Sequence, residues 1–306
     1  LRGGGSGVVI RAGEELAVEL CGIPMKTPLM PASGTLSKEA LEEVRGVYGM
    51  MLPKTVTPVR REGNPPPRIA ETPSGMINSI GLQNPGADEF LQGLDAFCDD
   101  APVMVSVAGD TVDDFVALCE RVAADDHILA AELNLSCPNV EHGGLTFCAG
   151  PNSVAEVVGA CRSAISGKPM FVKLTNEGVL SNAVAAEESG ADGLTLINTL
   201  PAISIDARDK KILRGGLSGP AIKPVALRAV YEVSAAVDVP VIGCGGVTTG
   251  TDVAEFMLAG ATAVQVGTSS FVREPGDILD EFRVYLSETG QKAEQLTGAL
   301  RHAGAS

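Results

Sequence analysis

Short apolar runs alternate with stretches of helical period along most of the chain. An apolar run of roughly four to eight residues between turn residues is typical of a strand buried on both faces, and a helical stretch between two such runs indicates a crossover helix. The predicted strands are 28–32, 50–54, 102–107, 130–135, 170–174, 193–197, 239–243 and 263–266. The predicted helices are 37–48, 87–98, 111–124, 153–166, 179–189, 220–237, 250–258 and one that begins near Asp277.

This alternation, unbroken by any change in composition, predicts an α/β fold, a (β/α)8 TIM barrel with long loops at the carboxyl ends of its strands. A doubly wound open sheet is the alternative. The stretch 14–23 predicts a short strand pair before the barrel, and 60–85, rich in Pro and Gly, predicts a functional loop over the strand ends. Residues 1–306 are expected to form a single domain, with 1–7 as a flexible tail.

Composition narrows the classes of partner. The formal net charge is -15, aromatic residues make up 4%, and Trp is absent. An acidic chain without aromatic platforms argues against a general nucleic-acid or acidic-membrane surface. The seven cysteines contain no Cys-x-x-Cys pair and no Cys/His cluster, so no metal site is expected. Reduced thiols, with no visible signal peptide or membrane span, favour a cytoplasmic protein.

The strongest chemical signal is the polar end of the predicted strand 130–135. There the apolar run gives way to Asn134-Leu-Ser-Cys-Pro-Asn139. In parallel α/β folds ligands bind at the carboxyl ends of strands. Cys137 is the candidate for proton transfer, because a thiol with a reference pKa of about 8.5 becomes a base where its surroundings favour the thiolate. A buried structural thiol is the alternative.

Glycine-rich turns follow the last two predicted strands. They are Cys244-Gly-Gly-Val247 and Gly267-Thr268, and Gly215-Gly-Leu-Ser-Gly219 forms a third. Each alone could simply make a short turn. Together they favour a phosphate-bearing cofactor, because turns without side-chain bulk let several backbone N–H groups converge on one anion.

Two lysines and several amides are predicted at the same strand ends. Lys54 and Lys173 could stabilise negative charge on a flavin or hold a substrate carboxylate, form a Schiff base, or form a salt bridge at the barrel mouth. Amide side chains could pair with a planar ligand that presents alternating C=O and N–H groups, such as a pyrimidine, or could only form turns. These amides are Asn78, Asn134, Asn139 and Asn198.

Taken together, the motifs resemble those of the class 1 dihydroorotate dehydrogenases over nearly the whole chain. The matching stretches are Met30-Pro-Ala-Ser-Gly-Thr35, Gly63-Asn-Pro-Pro-Pro-Arg68, Asn78-Ser-Ile-Gly-Leu-Gln-Asn84, Asn134-Leu-Ser-Cys-Pro-Asn139, Gly216-Leu-Ser-Gly-Pro220 and Cys244-Gly-Gly-Val247. Cys137, in place of Ser, resembles class 1. The stretches 63–68, His142-Gly-Gly-Leu-Thr-Phe147 and Asn198-Thr-Leu200 resemble the NAD-linked subtype 1B.

The resemblance implies flavin-dependent oxidation of dihydroorotate to orotate in pyrimidine (UMP) biosynthesis. Cys137 would remove the C5 proton, and hydride would pass from C6 to N5 of FMN. Electrons would reach NAD through a partner subunit that carries FAD and a [2Fe–2S] cluster, and the catalytic chain would also form a homodimer.

The resemblance also implies which residues form the site. Those implied to contact FMN are Ser33, Lys54, Thr55, Ser106, Asn134, Lys173, Ile197, Gly219, Gly245, Gly246, Gly267 and Thr268. Those implied to hold the substrate are Lys54, Asn78, Ser79, Ile80, Gly81, Leu82, Asn134, Asn198 and Thr199. Ser106 is a departure, since the family usually has Asn facing the flavin there. Residues 149–150 and 201–214 also differ from the commoner members.

Three rival functions remain open. A dihydropyrimidine dehydrogenase barrel resembles this chain in its Asn-Leu-Ser-Cys-Pro pattern. A lysine-dependent aldolase or lyase would use Lys54 or Lys173 as a nucleophile. A non-catalytic barrel would act only as an assembly subunit.

Overall fold

A computed structural model describes residues 13–36, 38–44, 46–94, 101–135 and 147–301. The strands are β1 (Val18–Leu20), β2 (Ile23–Met25), β3 (Leu29–Pro31), β4 (Ile69–Thr72), β5 (Gly75–Asn78), β6 (Val103–Val107), β7 (Ile128–Asn134), β8 (Met170–Leu174), β9 (Gly193–Leu196), β10 (Leu200–Asp206), β11 (Lys211–Ser218), β12 (Val241–Cys244) and β13 (Ala261–Val266). The helices are α1 (Lys38–Glu43), α2 (Ala87–Gln92), α3 (Val112–Ala124), α4 (Pro151–Ala164), α5 (Val179–Glu188), α6 (Lys223–Ser234), α7 (Gly250–Ala259), α8 (Pro275–Thr289) and α9 (Ala293–Leu296).

Seven parallel strands form one curled sheet in the order β3, β13, β12, β9, β8, β7, β6. The segment 49–56 joins its two edges. Gly49 N donates to Leu29 O on one side at 2.9 Å, and Met104 N and Ala108 N donate to Met51 O and Val56 O on the other side, each at 2.9 Å. This segment takes the place of the eighth strand. The predicted (β/α)8 barrel is confirmed, and the open doubly wound sheet is excluded because its edges would not meet.

The predicted strand 50–54 is the least regular of the eight strand positions in the barrel. It makes isolated parallel bridges, Met51 with Val103 and Val56 with Val107, instead of a continuous ladder. Pro53 lies between them and has no backbone N–H to donate, which explains the interruption. The other barrel strands match the prediction closely, because they are buried along most or all of their length, as in β8.

Two predicted loops contain strands. Residues 60–85 include the hairpin β4–β5, and residues 201–214 lie largely within the hairpin β10–β11. The hairpins join into one antiparallel sheet in the order β10, β11, β5, β4. The pairing was not visible in the sequence because β11 bonds to β5, more than a hundred residues earlier. The antiparallel pair β1–β2 confirms the predicted strand pair, shifted toward the carboxyl end.

Helix bounds differ from prediction at three places. The helix predicted over 37–48 ends at Glu43, and Ser37 lies outside the described residues. The helix predicted over 87–98 is described only as far as Gln92, and Gly93 ends it. The helix predicted over 220–237 begins as a 3-10 turn, Pro220–Ile222, before α6. The start of α3 agrees, because Thr111 caps it by accepting from Asp114 N.

Candidate active site

A cavity of about 770 Å³ lies at the carboxyl ends of the barrel strands, with β5 and β11 contributing to its wall. This volume is in the range of small-molecule and cofactor sites. The predicted cofactor residues that line it are Ser33, Lys54, Thr55, Asn134, Lys173, Ile197, Gly219, Gly245, Gly246, Gly267 and Thr268. The predicted substrate residues that line it are Lys54, Asn78, Ile80, Gly81, Leu82, Asn134, Asn198 and Thr199. One cavity therefore brings together residues that are more than two hundred positions apart in the chain.

Two predicted site residues, Ser106 and Ser79, are not among those that line the cavity. Ser106 is fully buried in β6, and its Oγ is 3.0 Å from Thr55 Oγ1, so the structure gives it an indirect position beneath Thr55. Ser79 is held by the neighbouring loop, since its backbone O and its Oγ each accept from Asn64 Nδ2 at 3.0 Å. Cys137 and Asn139 lie outside the described residues.

A chain of hydroxyl and amide groups crosses the cavity floor. Thr55 Oγ1 lies 2.7 Å from Ser33 Oγ and accepts from Asn134 Nδ2 at 3.5 Å. Asn134 Oδ1 accepts from Asn198 Nδ2 at 3.3 Å, and Asn198 Oδ1 accepts from Thr199 N at 2.9 Å. These bonds fix the orientation of both amides, so polar groups of defined geometry line the cavity floor, as a planar polar ligand requires.

Lys173 is almost completely buried, and it is paired inside the barrel. Its Nζ donates to Gln265 Oε1 at 3.0 Å and lies 3.9 Å from Glu132 Oε1. Burial is the largest effect and lowers the pKa of Lys173, but the electrostatic effects of Glu132 and Cys244 together outweigh it, so the pKa lies above the ordinary lysine value. The salt-bridge alternative for this lysine is therefore realised at the cavity floor. A protonated lysine is not a nucleophile, which disfavours a Schiff-base role for Lys173.

Lys54 is different. It is half-buried and lines the same cavity, yet its ammonium makes no ion pair or hydrogen bond with any described residue. The salt bridge considered as its alternative role is not formed within the described part of the chain. A cation that is held in a cavity without a protein partner is available to an anionic ligand such as a carboxylate.

The glycine-rich turns after β11, β12 and β13 meet near the start of α6. Gly245 and Gly246 have φ of 130° and 82°, a region that favours glycine. A Cβ on Gly246 would lie 2.8 Å from Lys223 Cβ and 2.9 Å from Gly219 O, so the turn packs directly on the backbone before α6. No side chain caps this helix. Turns without side-chain bulk at one end of the cavity fit the phosphate of a flavin mononucleotide.

Lys223 does not supply the charge for that phosphate. Its Nζ bonds to Asp252 Oδ1 and Glu255 Oε2 at 2.5 and 2.7 Å, which fastens α6 to α7. The turn after β12 is also fixed to α7, because Thr248 N donates to Asp252 Oδ2 at 2.8 Å. The phosphate end of the cavity is thus rigid and bounded by backbone.

Several lining or supporting residues were missed from the sequence. Arg68 lines the cavity while its guanidinium bonds to Gln83 Oε1 at 2.6 Å and Asn64 O at 3.1 Å. Ser218 Oγ accepts from Thr268 Oγ1 at 2.7 Å. Glu132 had a visible signal, since a carboxylate inside an otherwise apolar buried strand needs a partner.

No helix in the described part of the chain is long and apolar enough to cross a membrane. Within the same residues no group of three His, Cys, Asp or Glu side chains is arranged to hold a metal ion.

Comparison with known proteins gives consistent results. Residues 15–282 match the family described as Dihydroorotate dehydrogenase. The chain is 45% identical over 291 residues to the "Dihydroorotate dehydrogenase B (NAD(+)), catalytic subunit" of Anoxybacillus flavithermus, covering 90% of this chain and 92% of the relative. It is 44% identical over 304 residues to the protein of the same name from Geotalea uraniireducens, covering 94% and 98%. A solved Eimeria tenella DHODH, in complex with ferulenol, superposes with a TM-score of 0.81 at 26% identity, covering 96% of this chain and 90% of that one.

Proposed function

The chain belongs to the dihydroorotate dehydrogenase family, and from that premise we propose that it is the FMN-containing catalytic subunit of an NAD-linked enzyme that oxidises dihydroorotate to orotate in pyrimidine biosynthesis. The observation that carries the proposal is the cavity itself. A lysine without a partner among the described residues and two oriented amides lie at one part of it, and glycine-rich turns form another. A pyrimidine carboxylate and a flavin phosphate have the complementary chemistry.

The cofactor is proposed to lie along the glycine turns and the cavity floor. Gly245, Gly246, Gly267 and Thr268 would hold its phosphate through backbone N–H groups and a hydroxyl. The ring would rest near Ser33, Thr55, Asn134, Lys173 and Ile197. When bound, the flavin supplies the acceptor for the hydride that leaves C6 of dihydroorotate.

The substrate is proposed to bind beside Lys54, the cavity lysine whose ammonium has no partner in the part of the chain that the structure describes. Lys54 would pair with the carboxylate of dihydroorotate. Asn78, Asn134 and Asn198 would bond to the ring C=O and N–H groups, and the hydrogen bond between Asn134 and Asn198 would keep both amides correctly turned. The segment 80–82 would complete the wall on that side.

Proton removal from C5 is assigned to Cys137. Its Sγ would accept the proton as a thiolate. The assignment rests on the family resemblance and on its place three residues after Asn134, which ends β7 on the cavity floor.

The relatives are named as catalytic subunits and as NAD(+)-linked, which supports a partner subunit that passes the electrons on. We infer that this partner carries FAD and a [2Fe–2S] cluster, that two catalytic chains form a homodimer, and that the assembly works in the cytoplasm.

Substrate specificity tests the proposal against its nearest rivals. Dye reduction by the purified chain should be fast with dihydroorotate and slow with dihydrouracil, which lacks the carboxylate that Lys54 would bind. Lys54→Met should raise KM for dihydroorotate at least tenfold. Lys211→Met, which removes an exposed lysine paired with Asp209, is the matched control and should change nothing. Equal rates with the two substrates would favour the dihydropyrimidine dehydrogenase rival, and a borohydride-trapped adduct on either cavity lysine would favour the aldolase.

A further inference from the structure

Glu132 is a fully buried carboxylate to which the proposed reaction gives no part. It lies in β7 two residues before Asn134, so its side chain points to the same side of the strand, one level deeper in the barrel. A carboxylate that is removed from water is costly unless charge and hydrogen bonds compensate it. Its neighbours therefore indicate what it does.

The two carboxylate oxygens have different surroundings. Oε2 accepts from Thr195 Oγ1 at 2.9 Å and from Gln265 Nε2 at 2.8 Å. Oε1 has no hydrogen-bond partner among the described residues and faces Lys173 Nζ at 3.9 Å. Gln265 Oε1 in turn accepts from Lys173 Nζ at 3.0 Å, so the amide bridges carboxylate and ammonium.

This arrangement holds a charged lysine at the floor of the cavity. Burial is the largest effect on Lys173 and lowers its pKa, but Glu132, on the neighbouring strand, and Cys244, at the end of β12, together raise the pKa above the ordinary lysine value. Burial is the main cause that raises the pKa of the Cys244 thiol, and the charge of Glu132 raises it further against Lys173. Glu132 is thus the larger of the two groups that favour the charged form of Lys173, and its carboxylate is the one that faces the ammonium at 3.9 Å among the described residues.

We propose that Glu132 is a positioning residue that fixes both the place and the charge of the Lys173 ammonium and thereby sets the redox potential of the bound flavin. This inference rests on the proposed function for the flavin, because only a ring beside Lys173 would feel that charge. A fixed cation at the ring favours the more negative, reduced form of the cofactor. The carboxylate lies 3.9 Å from that cation and favours its charged form.

The charge of Lys173 can be read without any cofactor. Cyanate carbamoylates neutral amines, and peptide mass spectrometry of the stripped full-length chain gives the ratio of modified Lys173 to modified Lys54, a lysine in the same cavity. Glu132→Gln should raise that ratio at least tenfold near neutral pH. Thr195→Val removes a hydrogen bond to the same carboxylate without changing its charge, and should leave the ratio within twofold of the wild type.

The flavin potential gives the second measurement. Below the pH at which Lys173 loses its proton, the flavin potential of Glu132→Gln should lie above the wild-type potential, because no carboxylate then compensates the ammonium. As the pH rises and Lys173 loses its proton, the flavin potential of Glu132→Gln should fall more steeply until it equals the potential of the double variant Glu132→Gln, Lys173→Met. A tenfold change in the relative affinity for the two flavin forms corresponds to about 30 mV. Glu132→Asp, which keeps the charge, should show no break and serves if the Gln variant folds poorly.

Two results would overturn the inference. One is an unchanged labelling ratio in Glu132→Gln. The other is a potential that runs parallel to the wild type at every pH. Loss of flavin binding in the wild type would instead refute the proposed function, and the labelling ratio would still report on Glu132.

Discussion

Replacement of Thr55 by Val removes the hydroxyl on which three side chains of the cavity floor converge. Its Oγ1 lies 2.7 Å from Ser33 Oγ, 3.0 Å from Ser106 Oγ and 3.5 Å from Asn134 Nδ2. Thr55 is 6% exposed, and Val has almost the same shape, so the change removes polarity with little loss of packing. The variant therefore measures what the hydroxyl contributes.

The cost should come mainly from Ser106. That side chain is 0% exposed, and Thr55 is its only side-chain hydrogen-bond partner among the described residues. A buried polar group left without a partner costs about 1–3 kcal/mol. Ser33 lines the cavity and can bond to water, and Asn134 keeps its bond to Asn198, so both should lose less. We expect Thr55→Val to lower the free energy of unfolding by about 1–3 kcal/mol.

A double-mutant cycle with Ser106→Ala separates this cause from a general loss of packing. Urea unfolding of the wild type, both single variants and the double variant gives the coupling energy. The double variant leaves no orphaned hydroxyl, so it should be less destabilised than the sum of the singles by about 1 kcal/mol. Additivity within about 0.5 kcal/mol would refute the reasoning.

Three further predictions concern the turns and the base. Gly246→Ala should weaken FMN binding and lower the free energy of unfolding by at least about 1 kcal/mol more than Gly290→Ala. Both glycines have positive φ, but only at Gly246 would the added Cβ lie close to other atoms. Flavin titration and urea unfolding check this. Asp252→Asn should destabilise at neutral pH. Burial raises the pKa of Asp252, but its hydrogen bonds lower the pKa below the ordinary 3.8. The stability that Asp252 contributes is therefore present above pH 3.8 and is lost as the pH falls through the lower pKa of the folded state. Unfolding curves at several pH values check this, and a stability deficit of the variant that persisted in acid would contradict it. Cys137→Ala should abolish turnover at neutral pH while FMN stays bound, and near-normal stopped-flow reduction would remove the thiol from its role as base.

The sequence predicted the barrel well where a strand is buried on both faces. Such strands read as continuous apolar runs, and 170–174 was predicted with the bounds that β8 has. The hairpins over the cavity were predicted only as loops, because their strands are partly exposed and lack the continuous burial of the barrel strands. Their joining was not visible either, because β11 pairs with β5 across a long stretch of chain. Local pattern carries no information about such contacts.

The candidate site followed the same division. Residues just after strand ends, such as Asn134 and Gly246, were found because the carboxyl ends of parallel strands meet in one place. Lys173 was found too, but its supports Glu132 and Gln265 were not, since the three side chains meet only when the barrel closes. Ser106 was placed at the cofactor by resemblance, whereas the structure puts Thr55 between it and the cavity.

The most direct test of the account is an absorption spectrum of the purified full-length chain before and after anaerobic addition of dihydroorotate. We expect a yellow protein with bound FMN whose visible absorbance bleaches when dihydroorotate is added and does not bleach when dihydrouracil is added. A protein that binds FMN and keeps its full visible absorbance in excess dihydroorotate would contradict the proposed function.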